Sequence, residues 1–254
     1  MTASYGRVYL IGAGPGAADL ITVRGARLLA SADVVLYDAL VTNEMLELCR
    51  QAVKIPVGKR SGQRSAAQEH INQQLIENAS KYQLVVRLKG GDPMLFGRAD
   101  EELTALEKAG IAYDIVPGIT TALAAAASIR QPLTKRGVAR SVALFTSSTA
   151  PGETADTRIP DCDTLVQYMG GREAMLTAQR MLDAGYPASW PVRIVENCSR
   201  KDEHQTSLNL GELARGLPTG SGPVLVMMGE AMRPRQTEQT DYQQSLDNNA
   251  GNTA

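Results

Sequence analysis

The stretch Arg87–Glu102, RLKGGDPMLFGRADEE, decides the fold. Just before it, Leu84–Leu88 (LVVRL) is an apolar run whose β-branched Val85 and Val86 read as a buried strand. Just after it, Ala99–Ala109 has helix-forming composition. Leu103 and Leu106 share one face, and acids fill the first turn, where the helix dipole favours them. The turn Gly90-Gly91-Asp92-Pro93 therefore stands where a strand ends and a helix soon begins. Open α/β sheets bind ligands at that carboxyl edge. Tandem glycines there let backbone N–H and C=O groups approach a ligand with no Cβ in the way. By itself the motif leaves open a plain βα turn with no ligand.

Working outward, the same pattern repeats. Arg7–Ile11 (RVYLI) is a short strand that runs into Gly12–Gly16, GAGPG. That loop is only loosely like a dinucleotide-binding one. Pro15 removes an N–H, and the third Gly follows the second too closely. A helix follows over Val23–Ser31. Asp33–Tyr37 is the second strand and ends on Asp38, a carboxylate at the sheet's carboxyl edge. Asp38 is either functional or a loop-bracing acid. A helix near Asn43–Gln51 leads to the strand Val53–Val57, which ends in Gly58-Lys59-Arg60. That basic pair either meets an anion or is solvated. Ser65 and Gln68 have capping-box spacing at the start of a helix reaching Ser80. Ile111–Val116 is the fifth strand, ending Pro117-Gly118-Ile119-Thr120-Thr121, and the helix Ala122–Ile129 is nearly all Ala. Five strands alternating with helices make a parallel, doubly wound sheet.

The pattern then restarts. Residues 130–140 are basic, with Arg130, Lys135, Arg136 and Arg140. Strands are expected at Ser141–Thr146, Thr164–Met169, Val192–Glu196, Gln205–Leu208 and Val224–Met228, and helices at Glu173–Ala184 and Leu210–Arg215. Their shorter, varied spacing predicts a mixed sheet. Ser147–Asp161 reads as a mobile loop. The expected organisation is an α/β domain over 1–118, a second over 119–233, and a disordered Gln/Asn/Thr-rich tail over 234–254. In both halves glycine clusters at the carboxyl ends of strands, which predicts a ligand cleft between the two α/β domains.

Composition removes several function classes. With 26 Lys+Arg against 27 Asp+Glu in 254 residues, bulk electrostatic binding of nucleic acid or membrane is not expected. No apolar run approaches the ~20 residues that cross a bilayer, and the N-terminus lacks a signal-peptide layout. The three cysteines are scattered, a reduced, cytoplasmic pattern without metal-ligand spacing. Only two histidines are present, so neither a His triad nor a His-rich metal site is expected. Aromatics at 4% weaken a base-stacking reading.

Taken together, VYLIGAGPGAADLIT, VVLYDALV, VGKRSG, VVRLKGGDPMLFGRADEE, IVPGITTA, PLTKR, LVQYMGG and PVRIVENCS resemble the tetrapyrrole methylase family, in that family's order, over about residues 7–230. The resemblance implies two α/β domains with the donor in the cleft between them, and a homodimer. It implies S-adenosylmethionine as methyl donor, S-adenosylhomocysteine as product, no metal, and double C-methylation of uroporphyrinogen III to precorrin-2. It assigns Pro15, Gly90, Gly91, Asp92, Leu95, Thr120, Thr121, Met169 and Cys198 to the donor. Asp38 becomes a proton acceptor and Lys59 a proton donor, and Arg98, Glu101 and Arg136 fall near the tetrapyrrole. ADEE stands where GGEE is commoner, SIRQPLTKR where GIPLTHR is, and ENCS where ENGT is, which opens substrate preference.

The chemistry agrees with the residue types. Methyl transfer from a sulfonium is an in-line displacement, and the protein's task is orientation. A methylated pyrrole carbon must then lose a proton, which one positioned base assists. A polycarboxylate substrate calls for arginines able to bind carboxylates bidentately. The alternatives are a later precorrin methyltransferase, a related RNA or diphthamide methylase, a nicotinamide oxidoreductase using GAGPG, and a non-catalytic binding module. Because the chain starts at its first strand, no fused dehydrogenase or chelatase segment is expected. The end product, whether sirohaem, cobalamin or haem d1, is not encoded in these motifs.

Overall fold

The structure, a computed structural model, describes residues 5–57, 64–148, 158–171, 173–217, 220 and 222–234, with the side chains of 64–67 excepted. The chain folds into two compact units. The first is Met1–Ala124 with Cys198–Lys201, and the second is Ala125–Asn197 with Asp202–Ala254. The division falls inside a helix, past the 118/119 boundary expected from the sequence, and the short segment 198–201 joins the first unit. The expected tail and most of the expected loop at 147–161 lie outside the described residues.

The first unit carries a parallel sheet of β1 (Arg7–Gly12), β2 (Val34–Tyr37), β3 (Val53–Pro56), β4 (Leu84–Lys89) and β5 (Tyr113–Val116), in the order β3-β2-β4-β1-β5. The two-residue period of a strand divides its side chains between two cores. Ile11, Val35, Val86 and Leu88 face one, with Leu29 of α1 (Val23–Ala30) and Met45 of α2 (Asn43–Leu46). Val8, Leu10, Val34, Leu36 and Val85 face the other, with Leu75 of α3 (Arg64–Ala79) and Leu106 of α4 (Ala99–Lys108). Covering both faces explains why these strands read as continuous apolar runs. The unit's last helix, α5 (Thr121–Ser128), runs on into the second.

The second unit is mixed. β6 (Val142–Thr146) pairs parallel with β7 (Thr164–Tyr168). β8 (Pro191–Glu196), β9 (His204–Asn209) and β10 (Val224–Met228) add antiparallel pairings, giving the order β6-β7-β10-β8-β9. α6 (Glu173–Asp183) and α7 (Leu210–Arg215) close its core, where Met181, Leu210 and Leu213 are fully buried. The fold is therefore the two-part α/β architecture expected, a five-stranded parallel sheet and a five-stranded mixed one.

Some local expectations change. Ser65 is not an N-cap, because α3 already begins at Arg64. Gln68, its expected partner, instead donates to Asn72 Oδ1 at 3.1 Å and Glu102 Oε1 at 3.4 Å. The capping box is at α7, where Asn209 Oδ1 accepts from Glu212 N–H at 2.9 Å and Glu212 Oε2 from Asn209 N–H at 2.8 Å. The short strand expected at 205–208 is the full edge strand β9, lengthened by pairing with β8 along its whole run.

Two adjacent residues of the second unit oppose its stability. Arg130 sits at φ 56, a left-handed conformation disfavoured for a residue with a Cβ. Gln131 is 2% exposed, and among the described residues neither amide atom of its side chain has a partner. Gln131→Leu should raise stability by about 1–3 kcal/mol, the desolvation cost of an unmet buried polar group. Arg130→Gly should add about 1 kcal/mol. Thermal melting of both variants checks this.

Candidate functional site

The carboxyl edge of the parallel sheet brings four loops together. Gly14 and Gly91 exchange backbone hydrogen bonds, N–H to O at 3.1 Å one way and 2.7 Å the other, tying the loop after β1 to the loop after β4. Ala13 N–H donates to Lys89 O at 2.7 Å. Asp92 secures the same turn: one oxygen accepts from Met94 N–H at 2.8 Å, the other from Gly118 N–H at 2.9 Å, in the loop after β5.

The glycines here are required by contact. A Cβ on Gly118 would lie 2.2 Å from Gly91 O and 2.7 Å from Gly12 Cα, and one on Gly12 would lie 2.5 Å from Gly118 Cα. These are backbone neighbours that cannot rotate away. Gly91 itself, at φ 69, has nothing within 4 Å of its would-be Cβ among the described residues. Three loops thus interlock through bare peptide groups, while one edge stays open. Gly118→Ala should cost about 3 kcal/mol, at the upper end for overpacking, and a denaturant titration measures it.

Asp38 ends the strand β2 as expected. Its Oδ1 accepts from Leu40 N–H at 2.9 Å and its Oδ2 from Gly90 N–H at 3.1 Å. It therefore braces the first glycine of the GGD turn, and each oxygen keeps further accepting capacity. Pro15, Gly90, Gly91, Asp92, Leu95, Thr120 and Thr121 are all half-buried on this one edge. Lys59 lies outside the described residues.

Beneath the turn lies a group that the reading of the sequence missed. Strand alternation turns Arg87 and Lys89 toward α4, along with Val85. Arg87 Nε meets Glu102 Oε1 at 3.0 Å and Lys89 Nζ meets Glu102 Oε2 at 2.9 Å. Arg87 and Lys89 are each 3% exposed and Glu102 is fully buried. Arg87 Nη1 also donates to Leu88 O at 3.2 Å. Burial, then the Arg87 charge, holds the Lys89 ammonium below its usual range, against the pull of Glu102 and Asp38. Glu102 was expected to serve the helix dipole in the first turn of α4. It is instead the shared anion of a buried trio. The available signal was its spacing of four before Leu106, which puts it on the buried face.

The substrate-binding candidates are exposed. Arg98 sits at φ 53 at the start of α4 and pairs bidentately with Glu101, at 2.6 Å and 2.8 Å. Arg136 lies at the tip of a tight turn that the Lys135–Ala139 backbone pair closes at 2.9 Å and 2.7 Å. In the second unit Met169 follows β7 at φ 53 with 48% exposure. Cys198 is buried in the first unit. Among the described residues around it, positive φ falls on its neighbours Asn197 and Ser199 (φ 51 and 60). Among the described residues no group of His, Cys, Asp and Glu side chains could hold a metal ion, and no helix is long and apolar enough to cross a membrane.

Comparison with known proteins follows the same lines. A family profile described as Tetrapyrrole (Corrin/Porphyrin) Methylases matches residues 7–214. A siroheme synthase of Psychrobacter sp. is 41% identical over 240 residues, covering 91% of this chain and 48% of its own length. One from Escherichia coli O1:K1 / APEC is 42% identical over 233 residues, covering 89% and 50%. The chain thus spans about half the length of the curated relatives it matches. A uroporphyrin-III C-methyltransferase structure from Thermus thermophilus, complexed with S-adenosylhomocysteine, is 38% identical with a TM-score of 0.78, covering 90% of this chain and 99% of that one.

Proposed function

The chain belongs to the tetrapyrrole (corrin/porphyrin) methylases. On that premise we propose that it is an S-adenosylmethionine-dependent C-methyltransferase that methylates uroporphyrinogen III twice to give precorrin-2, as a cytoplasmic homodimer. The observation that carries this reading is the set of interlocked glycine loops at the carboxyl edge of the parallel sheet. Among the described residues Gly91 is open there where a Cβ would stand, so a ligand can lie directly against peptide groups. That surface fits the donor, which supplies an activated methyl group when bound.

In this proposal Pro15, Gly90, Gly91, Asp92, Leu95, Thr120, Thr121, Met169 and Cys198 hold the donor. Orientation is the main catalytic task, and the paired amides held by Asp38 and Asp92 fix the loops that perform it. Asp38 then takes the proton released from the methylated ring carbon, with its remaining lone pairs. Lys59 returns a proton. Arg98, Glu101 and Arg136 receive the substrate's carboxylate rim. Arg98 enters this role already oriented by Glu101, so it has little side-chain entropy left to lose.

Incubation of the purified chain with uroporphyrinogen III and methyl-labelled S-adenosylmethionine tests the proposal. Two labelled methyl groups per macrocycle are expected, and no incorporation refutes it. Sedimentation of the purified chain tests the homodimer.

A further inference from the structure

The segment Cys198–Lys201 follows β8 yet packs within the first unit, and its contacts converge on the loops after β1 and β2. Ala17 N–H donates to Ser199 Oγ at 3.0 Å. Arg200 Nη2 donates to Leu40 O at 2.8 Å. Lys201 adds a surface ion pair to Glu44 at 3.2 Å. Between these points Thr42 Oγ1 donates to Gly16 O at 3.1 Å. Gly16 leaves room for the segment, since a Cβ there would stand 2.8 Å from Arg200 Cγ and 3.0 Å from Cys198 O.

Two features suggest that the segment is held for a purpose. Ser199 sits at φ 60, a conformation that a serine adopts only when its surroundings impose it. Ala17 caps the short 3-10 turn Ala18–Leu20 but has no side chain able to do so. Its amide is met by a hydroxyl 182 residues away. The loop it belongs to contains three glycines in five residues, GAGPG. Backbone bonds already hold Ala13 and Gly14, so what Ser199 adds is a hold on the end of the loop at Ala17, and ordering that end on binding instead would weaken affinity.

We propose that Ser199 and Arg200 are positioning residues for the methyl donor. Ser199 fixes the loop after β1, and Arg200 fixes the turn after β2 that also carries Asp38. Neither touches the donor. Each removes an ordering cost before the donor arrives. The inference rests on the reading that the donor binds at this edge.

The test uses the full chain and titration calorimetry with S-adenosylhomocysteine. Ser199→Gly relieves the φ strain while deleting the hydroxyl, so its melting temperature should hold or rise. Its Kd should nevertheless increase about fivefold to tenfold, as expected for one lost hydrogen bond, with a more unfavourable binding entropy. KM for S-adenosylmethionine should rise by the same factor, with kcat within about twofold. Arg200→Met, which keeps the apolar stem, should act in the same direction. Hydrogen exchange at Ala17–Leu20 in the ligand-free variants should speed up. Folded variants with wild-type Kd and exchange overturn the inference and leave the donor site standing. Failure of the wild-type chain to bind S-adenosylhomocysteine overturns both.

Discussion

Asp38→Asn is expected to lower kcat for methyl transfer by about 10²–10⁴-fold, the range supplied by one positioned proton acceptor. The prediction follows from what the carboxylate already does. Its two oxygens accept from Leu40 and Gly90 N–H, so the half-buried carboxylate is held in place, with Oδ2 on the GGD turn. An amide has only one oxygen. In the Asp38→Asn variant an NH2 group must face one of those two backbone donors, and that bond is lost. Donor binding should therefore weaken as well, but by about tenfold at most, the worth of one hydrogen bond. The measurement is a comparison of single-turnover rate with calorimetric Kd for S-adenosylhomocysteine. A variant whose rate falls only as far as its affinity does would assign Asp38 to bracing alone.

Glu102→Gln should cost about 3–5 kcal/mol of stability, because it strands two cations in a dry core. Arg87 and Lys89 have no water to turn to at 3% exposure. Replacing all three charges by apolar residues, Arg87→Met with Lys89→Met and Glu102→Leu, should recover most of the loss, since no buried charge then remains. Urea unfolding of both variants settles the comparison. The trio also implies a pH signature. In the unfolded chain Lys89 stays protonated up to its ordinary pKa of 10.5, whereas the folded state holds it lower. Between the folded value and 10.5 the unfolded state carries the extra proton, so unfolding free energy rises with pH through that window. Below the folded value both states are protonated and the penalty stands in full. The alkaline rise should be present in the wild type and absent from Lys89→Met.

These two predictions bear differently on what the sequence shows. The position of Asp38 was legible, because a strand that ends in an acid places it at the sheet's carboxyl edge. Its bond to Gly90 was not, since Gly90 lies 52 residues away, whereas Leu40 is a neighbour in the same loop. The burial of Arg87 and Lys89 was masked by their charge. Only the strand alternation that they share with Val85 marks them, and composition speaks against it. Ser65 with Gln68 shows the opposite failure. The spacing was right for a cap, but Gln68 had a buried partner on another helix.

By itself the sequence determined the strand and helix order, the division into a parallel and a mixed sheet, and the family, because apolar periodicity and glycine motifs are local properties of the chain. Only the tertiary structure decided which polar groups are paired. It joined Ser199 to Ala17, Asp92 to Gly118 and Glu102 to both Arg87 and Lys89. The reason is physical. A hydrogen bond or buried ion pair depends on distance and desolvation across elements far apart in the chain, and neither quantity is written in the spacing of residues along it.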